Sequence, residues 1–141
     1  MASLVKADAG DIPFWRSLDP HISDDILSLK FQSGQAYVLL DGSRYAGILR
    51  YGLFWDQIPF CNLAAILPGL RGQGFGRLLA SLWESTMRES GYGVVLASSQ
   101  SNEQAQGFWR HMGYEDCGVL ALGRFGLQEP SDLVFSKSLR G

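Results

Sequence analysis

The chain has 141 residues, 46% of them hydrophobic and 18% charged, with 12 Lys and Arg against 14 Asp and Glu. One domain of this length buries roughly two-thirds of its unfolded surface, so a single domain over residues 1–141 is expected. The net charge of -2 supplies no general field for nucleic acid and excludes that class of partner. No apolar run reaches the roughly 18 residues of a membrane span, and no signal peptide or lipidation box is recognisable, which sets the expectation of a cytoplasmic protein with no membrane partner.

In chain order, residues 4–6 read as a short first strand and residues 12–18, punctuated by Pro and Asp, as a short helix. Ser23 suits an N-cap: Asp24 and Asp25 follow where the helix dipole favours anions, and Ile22 can staple to Leu27 across the cap. That helix should run to Ser33 and stop at Gly34. Residues 35–40 and 44–55 are strands rich in aliphatic and aromatic side chains, joined by the hairpin signal Asp41-Gly42. A second turn at Asp56-Gln57 leads into a strand over residues 58–67.

A glycine-rich segment follows, then a helix ending at Gly91. Phe75, Leu78, Leu79, Leu82, Trp83 and Thr86 share one side of its 3.6-residue wheel, with Arg77, Ser81, Glu84, Arg88 and Glu89 largely opposite. Residues 93–98 read as a buried strand. Ser101-x-x-Gln104 is a capping box for a helix whose inner stripe is Ala105, Phe108, Trp109 and Met112. Strands near residues 117–122 and 133–137, joined by a loop containing Gly123, Gly126 and Pro130, complete an α+β layout with a central mixed sheet. Cys61 and Cys117 read as buried reduced thiols. His21 and His111 lack metal-ligand spacing, and no metal is expected.

The segment Pro68-Gly-Leu-Arg-Gly-Gln-Gly-Phe-Gly-Arg-Leu-Leu79 joins strand to helix. A helix N-terminus offers up to four N–H groups without intrahelical partners and a partial positive charge, which together hold an anion. Gly72, Gly74 and Gly76 lack Cβ, so their backbone can take positive φ or lie against a ligand, and Arg71 adds a charged rim. A mononucleotide P-loop would need a lysine where Phe75 follows Gly74, and a dinucleotide fingerprint would need glycine at Arg77, so both readings fail.

The remaining pattern, Arg71-x-x-Gly74-x-Gly76, resembles the acyl-CoA pyrophosphate loop of the GNAT superfamily of N-acyltransferases. A second stretch, Asn102-Glu-Gln-Ala-Gln-Gly-Phe-Trp-Arg-His-Met-Gly-Tyr114, is similar to that superfamily's Asn-x-x-Ala-x-x-Phe-Tyr-x-x-x-Gly-Phe, with Trp109 in place of the tyrosine. Both stand in the expected order and spacing.

The resemblance implies a mixed, mostly antiparallel sheet of six to seven strands flanked by helices, splayed around the CoA arm between residues 58–67 and 93–98. It implies acetyl transfer from the cosubstrate acetyl-CoA to a primary amine of a small molecule or peptide by direct attack, and it leaves a homodimer open. Carried over, the diphosphate falls to Arg71, Gly72, Gln73, Gly74, Phe75, Gly76 and Arg77, backbone contacts to Ile66 and Leu67, and a hydrogen bond to Asn102, which can also cap its helix. An N–H near Ile66 would polarise the thioester carbonyl, a role worth roughly 3 kcal/mol in analogous sites.

The catalytic side chains are less defined. Trp109 stands where the family has its acid tyrosine, and an indole donates a hydrogen bond but not a proton; plain packing is its simpler role. No carboxylate lies on residues 58–67, which leaves Asp56 as the base candidate through water, against a plain solvated turn. Glu84 and His111 read as solvated surface. Arg50, Trp55 and Asn62 are candidates for the acceptor side. Arg50 either pairs with Asp56, the favoured reading, or recognises an acidic group on the acceptor. The aromatic crowd of Tyr37, Tyr45, Tyr51, Phe54, Trp55 and Phe60 is more simply sheet packing than an acceptor pocket. The competing function is a CoA-binding sensor or interaction module without catalysis.

Overall fold

The computed structural model describes residues 1–100, 105–121 and 131–140. Its elements are β1 Ala2–Lys6, α1 Ile12–Leu18, α2 Asp24–Ser33, β2 Ala36–Asp41, β3 Arg44–Phe54, β4 Ile58–Ile66, α3 Phe75–Glu89, β5 Val94–Gln100, α4 Ala105–His111, β6 Glu115–Leu120 and β7 Asp132–Ser138. The strands form one open seven-stranded mixed sheet in the order β1-β2-β3-β4-β5-β7-β6, flanked by the helices. The capping box at residues 101–104 and the loop glycines and proline at 123, 126 and 130 lie outside the described residues.

The chain divides into two compact units. The first comprises Met1–Gly52 with Asn62–Thr86. Its core is Ala7, Trp15, Leu27, Ala36, Val38 and Ile48, with Phe14, Phe31 and Tyr45 packed against them. The Trp15 and Phe31 rings meet edge-on at 5.4 Å, and Phe14 stacks on Tyr45 at 4.3 Å. Local chemistry accounts for the ends of α2. The Ser23 hydroxyl accepts from Ile26 N–H at 3.2 Å, and Gly34 ends the helix at φ +73°.

β1, β2 and β3 form an antiparallel meander. Leu39 pairs with Gly47 and Leu40 with Tyr45, so Ala46 is an extra residue, a bulge in β3. Its carbonyl turns to β4 and accepts from Leu67 N–H at 2.8 Å. Gly47, beside it, has to be glycine: a Cβ there would lie 2.6 Å from the Ala65 carbonyl oxygen. The two strands approach too closely for any side chain.

The second unit comprises Leu53–Cys61 with Met87–Gly141. β4 and β5 run parallel here, with Phe60 opposite Leu96, and β7 lies antiparallel between β5 and β6. Val95, Ala97, Trp109, Tyr114 and Phe135 are buried in it. β6 starts two residues earlier than residue 117 and is exposed throughout. Asp116 pairs with Phe135 and Gly118 with Val134, so Cys117 is bulged out of the edge strand. Cys117 is exposed like the rest of β6, correcting the expectation of two buried thiols; Cys61 is buried.

Candidate functional site

β4 delivers the chain into the glycine segment. Leu67 N–H is taken by Ala46, and the Leu67 carbonyl accepts from Leu70 N–H at 2.9 Å across a 3₁₀ turn, Pro68–Leu70. Backbone groups alternate sides along a strand, so with Leu67 N–H turned to β3, Ile66 N–H points to the opposite edge of β4. On that edge the Ile66 carbonyl accepts from Arg71 Nε at 3.2 Å. Of the two residues assigned backbone contacts, Ile66 offers its N–H outward, whereas Leu67 has spent its own inside the protein.

Beyond the 3₁₀ turn, Gly72 and Gly74 take φ of +81° and +87°. Nothing lies within 4 Å of a Cβ built on either, so the space in front of both is open. Gln73 Nε2 donates to the Gly69 carbonyl at 3.4 Å and ties the loop back on itself. α3 begins at Phe75 with the bond from Leu78 N–H to Gly74 carbonyl at 3.1 Å. The N–H groups of Phe75, Gly76 and Arg77 therefore have no intrahelical acceptor. Gly76 sits within the helix and, unlike Gly72 and Gly74, needs no positive φ. Arg71, Gly72, Gln73, Gly74 and Arg77 are exposed. The loop thus presents glycine backbone, helix-start amides and two guanidinium groups to open space, which suits a diphosphate.

Other expected residues go elsewhere. Asn102 lies outside the described residues. Trp109 is 6% exposed and packs edge-on between Phe108 at 5.0 Å and Tyr114 at 4.9 Å in the core of its unit. Trp55 and Asp56 are the two central residues of the turn between β3 and β4, closed by Gln57 N–H donating to the Phe54 carbonyl at 3.1 Å; they stand at φ +54° and +59° with both side chains exposed. A bulky residue there is unusual, because this turn normally uses Asn-Gly. His111 is exposed.

Two expectations are corrected. Glu84 is not solvated surface but 4% exposed, and it is not without an interaction partner. The buried row of α3 is Leu79, Ala80, Trp83, Glu84 and Met87, rotated from the stripe that hydrophobicity suggests. Residues 80, 84 and 87 follow at helical spacings of four and three, so burying small Ala80 and long Met87 carries Glu84 in with them. Arg50 pairs not with Asp56 but with Asp19, Nε to Oδ2 at 2.8 Å. Asp19, at the end of α1 and 4% exposed, also accepts from Trp15 Nε1 at 3.1 Å, and a carboxylate so enclosed requires a cation beside it.

Lys30 is a residue that sequence reasoning missed. Its Nζ donates to the Tyr51 carbonyl at 2.6 Å and to Gln35 Oε1 at 3.3 Å. Burial, and then the Arg50 charge, hold its pKa below the usual lysine value. Asn62, exposed on β4, lies across Gly52 from it. Tyr37 stacks against Tyr51 at 6.2 Å, and burial raises its pKa. Among the described residues, no three His, Cys, Asp or Glu gather to hold a metal ion.

The architecture is that of an acyl-CoA-dependent acyltransferase. Residues 6–114 match the profile of the acetyltransferase (GNAT) family, and the chain belongs to that family. No match is found among curated proteins. Ard1 from Thermoplasma volcanium superposes with a TM-score of 0.82 at 12% identity, covering 97% of each chain. Naa50 from Arabidopsis thaliana, solved with the bisubstrate analogue CoA-Ac-MVNAL, gives 0.78 at 15% identity over 97% of this chain and 98% of that one. N-acetylglutamate synthase from Neisseria gonorrhoeae, solved with coenzyme A and N-acetyl-glutamate, gives 0.81 at 18% identity over 100% of this chain and 36% of that one. At these identities the likeness is one of fold.

Proposed function

We propose that residues 1–141 act as a single N-acetyltransferase domain that moves the acetyl group of acetyl-CoA to a primary amine of a small molecule or peptide by direct attack. Cytoplasmic residence belongs to the same reading. The observation that carries it is the pair of positive-φ glycines, Gly72 and Gly74, with open space before them, just ahead of the first amides of α3. In this reading those amides, with Arg71 and Arg77, hold the diphosphate, and the outward N–H of Ile66 receives the thioester carbonyl as negative charge develops on it. The amine nitrogen forms the amide bond, the carbon–sulfur bond breaks, the sulfur leaves as CoA thiolate and the amine proton passes to water.

The proton costs say which missing group matters. An amine of pKa near 10.4 is about 3.4 units too protonated at pH 7, a deficit of roughly 4.6 kcal/mol. A thiol of pKa near 8.5 leaves as thiolate at a cost of only about 2 kcal/mol. Trp109, sealed in a core, can therefore replace the acid tyrosine without stopping the reaction. A base matters more, and Asp56, exposed on its turn, would serve only through water.

The burial of Trp109 also favours a second reading, a CoA-binding sensor without turnover. Thiol release from acetyl-CoA with a panel of amines decides between them. Release above background with any amine supports the enzyme, and none, despite acetyl-CoA-dependent stabilisation, supports the sensor.

A further inference from the structure

In the second unit, the tip between β3 and β4 carries two side chains that the fold leaves largely in solvent. Trp55 is 75% exposed, and its ring contact among the described residues is Phe54 at 4.6 Å. Phe54 is itself 39% exposed and leads on to Phe60 at 6.3 Å, so the tip presents a continuous aromatic patch. Asp56 is the sole charged residue between positions 53 and 61. Among the described residues its carboxylate has neither an ion pair nor a hydrogen bond. Both turn positions need positive φ, which Asn-Gly would supply without strain and which a bulky residue such as Trp55, at +54°, resists. Burial does not offset that strain, because most of the indole lies in water. Strain kept without packing to offset it points to a role outside the fold.

We propose that this tip is a docking surface for an arginine side chain of a partner peptide. The electron-rich face of an indole attracts a cation placed within about 6 Å, more strongly than the other aromatic rings do. Asp56, with its Cα about 3.8 Å from that of Trp55, adds a full negative charge. A lysine ammonium is a compact, strongly hydrated point charge and gains most where rings enclose it. A guanidinium is planar and weakly hydrated, so it can lie flat on one open ring while its edge N–H groups reach a carboxylate. The tip offers an open ring and a carboxylate without an enclosure, which is the arrangement that selects arginine. The surface does not depend on acetyl transfer and serves an enzyme or a sensor alike.

The probe is the blocked tripeptide acetyl-Ala-Arg-Ala-amide, compared with the same peptide carrying citrulline, the neutral isostere of arginine, and with one carrying lysine. Binding is followed by NMR through the indole N–H resonances of the four tryptophans, at low ionic strength, where exposed charges are least screened. Trp55→Phe identifies the Trp55 resonance by its loss. A cation on an exposed indole together with an exposed ion pair corresponds to an affinity about three- to thirtyfold above that of the citrulline peptide. Lysine should fall between the two. Asparagine tolerates positive φ as well as aspartate does, so Asp56→Asn keeps the turn. In that variant the preference for arginine over citrulline should shrink to that of the ring alone, about two- to fivefold. Equal affinity for arginine and citrulline overturns the proposal, as does a Trp55 resonance that stays in place or moves no more than the other three. Tighter binding of lysine than of arginine, or a preference undiminished in Asp56→Asn, overturns it as well.

Discussion

Gly74→Trp separates anion binding from folding. At φ +87° a residue with Cβ is strained, by about 1–2 kcal/mol. No protein atom lies within 4 Å of where that Cβ would stand, so the indole projects into the open space without a clash. Against a typical stability of about 5–15 kcal/mol the variant still folds. Unfolding entropy for a chain of this size is about 0.3 kcal/mol per kelvin, so strain alone lowers the midpoint by about 5 °C. Acetyl-CoA at a hundredfold excess over its Kd adds about 2.7 kcal/mol to the wild-type protein, a rise of about 9 °C. In the variant the indole fills the place of the diphosphate, and that rise should vanish. Thermal melts by circular dichroism, with and without acetyl-CoA, read both numbers. An equal ligand-induced rise in the two proteins would refute the loop as the anion site.

Gly47→Ala forces a methyl within 2.6 Å of the Ala65 carbonyl oxygen; overpacking of this kind should cost about 2 kcal/mol, and a loss too small to measure in urea would contradict the close approach of β3 and β4. Arg50→Met leaves Asp19 enclosed without its cation, a change expected to cost about 3 kcal/mol; an unchanged urea midpoint would show that the pair contributes nothing. Trp109→Tyr should leave kcat within about a factor of ten, because departure of the thiolate is not the costly proton step; a larger rise would mean that the absent acid limits the reaction. Lys30 titrates below 10.5 in the folded protein because of burial and Arg50. Between its folded value and 10.5 the unfolded chain binds more protons, so the stability of wild type relative to Lys30→Met should climb as pH rises through that window; a flat or falling difference would remove the shift.

What the sequence disclosed was mostly local. Ser23 and Gly34 bracket α2 because a hydroxyl and a left-handed glycine act within one helical turn, and the hairpin at Asp41-Gly42 follows from adjacent residues, whereas the next turn takes Trp55 out of the strand expected to hold it. The loop was legible for the same reason: the glycines at 72 and 74 announce their backbone, although Gly76 proved to be ordinary helix. The misjudged features depend on distant chain. Arg50 finds Asp19 across 31 positions and Lys30 finds Tyr51 across 21, and no periodicity links them. Glu84 looked polar-faced because a wheel ranks side chains by type and does not know which row the sheet will cover. Cys117 was expected inside because thiols usually are, but it falls on an edge strand that is exposed along its whole length. The family profile covers residues 6–114, so the two motifs together did locate the fold.

The chain's four tryptophans are unequally placed. Trp15 and Trp83 are fully sealed and Trp109 is 6% exposed, whereas Trp55, held on its strained turn, is 75% exposed. A collisional quencher such as iodide or acrylamide will therefore extinguish the emission of essentially one fluorophore. The protein carries its own optical probe of the tip between β3 and β4, so a ligand or partner settling there can be followed by shielding of a single indole, without any label.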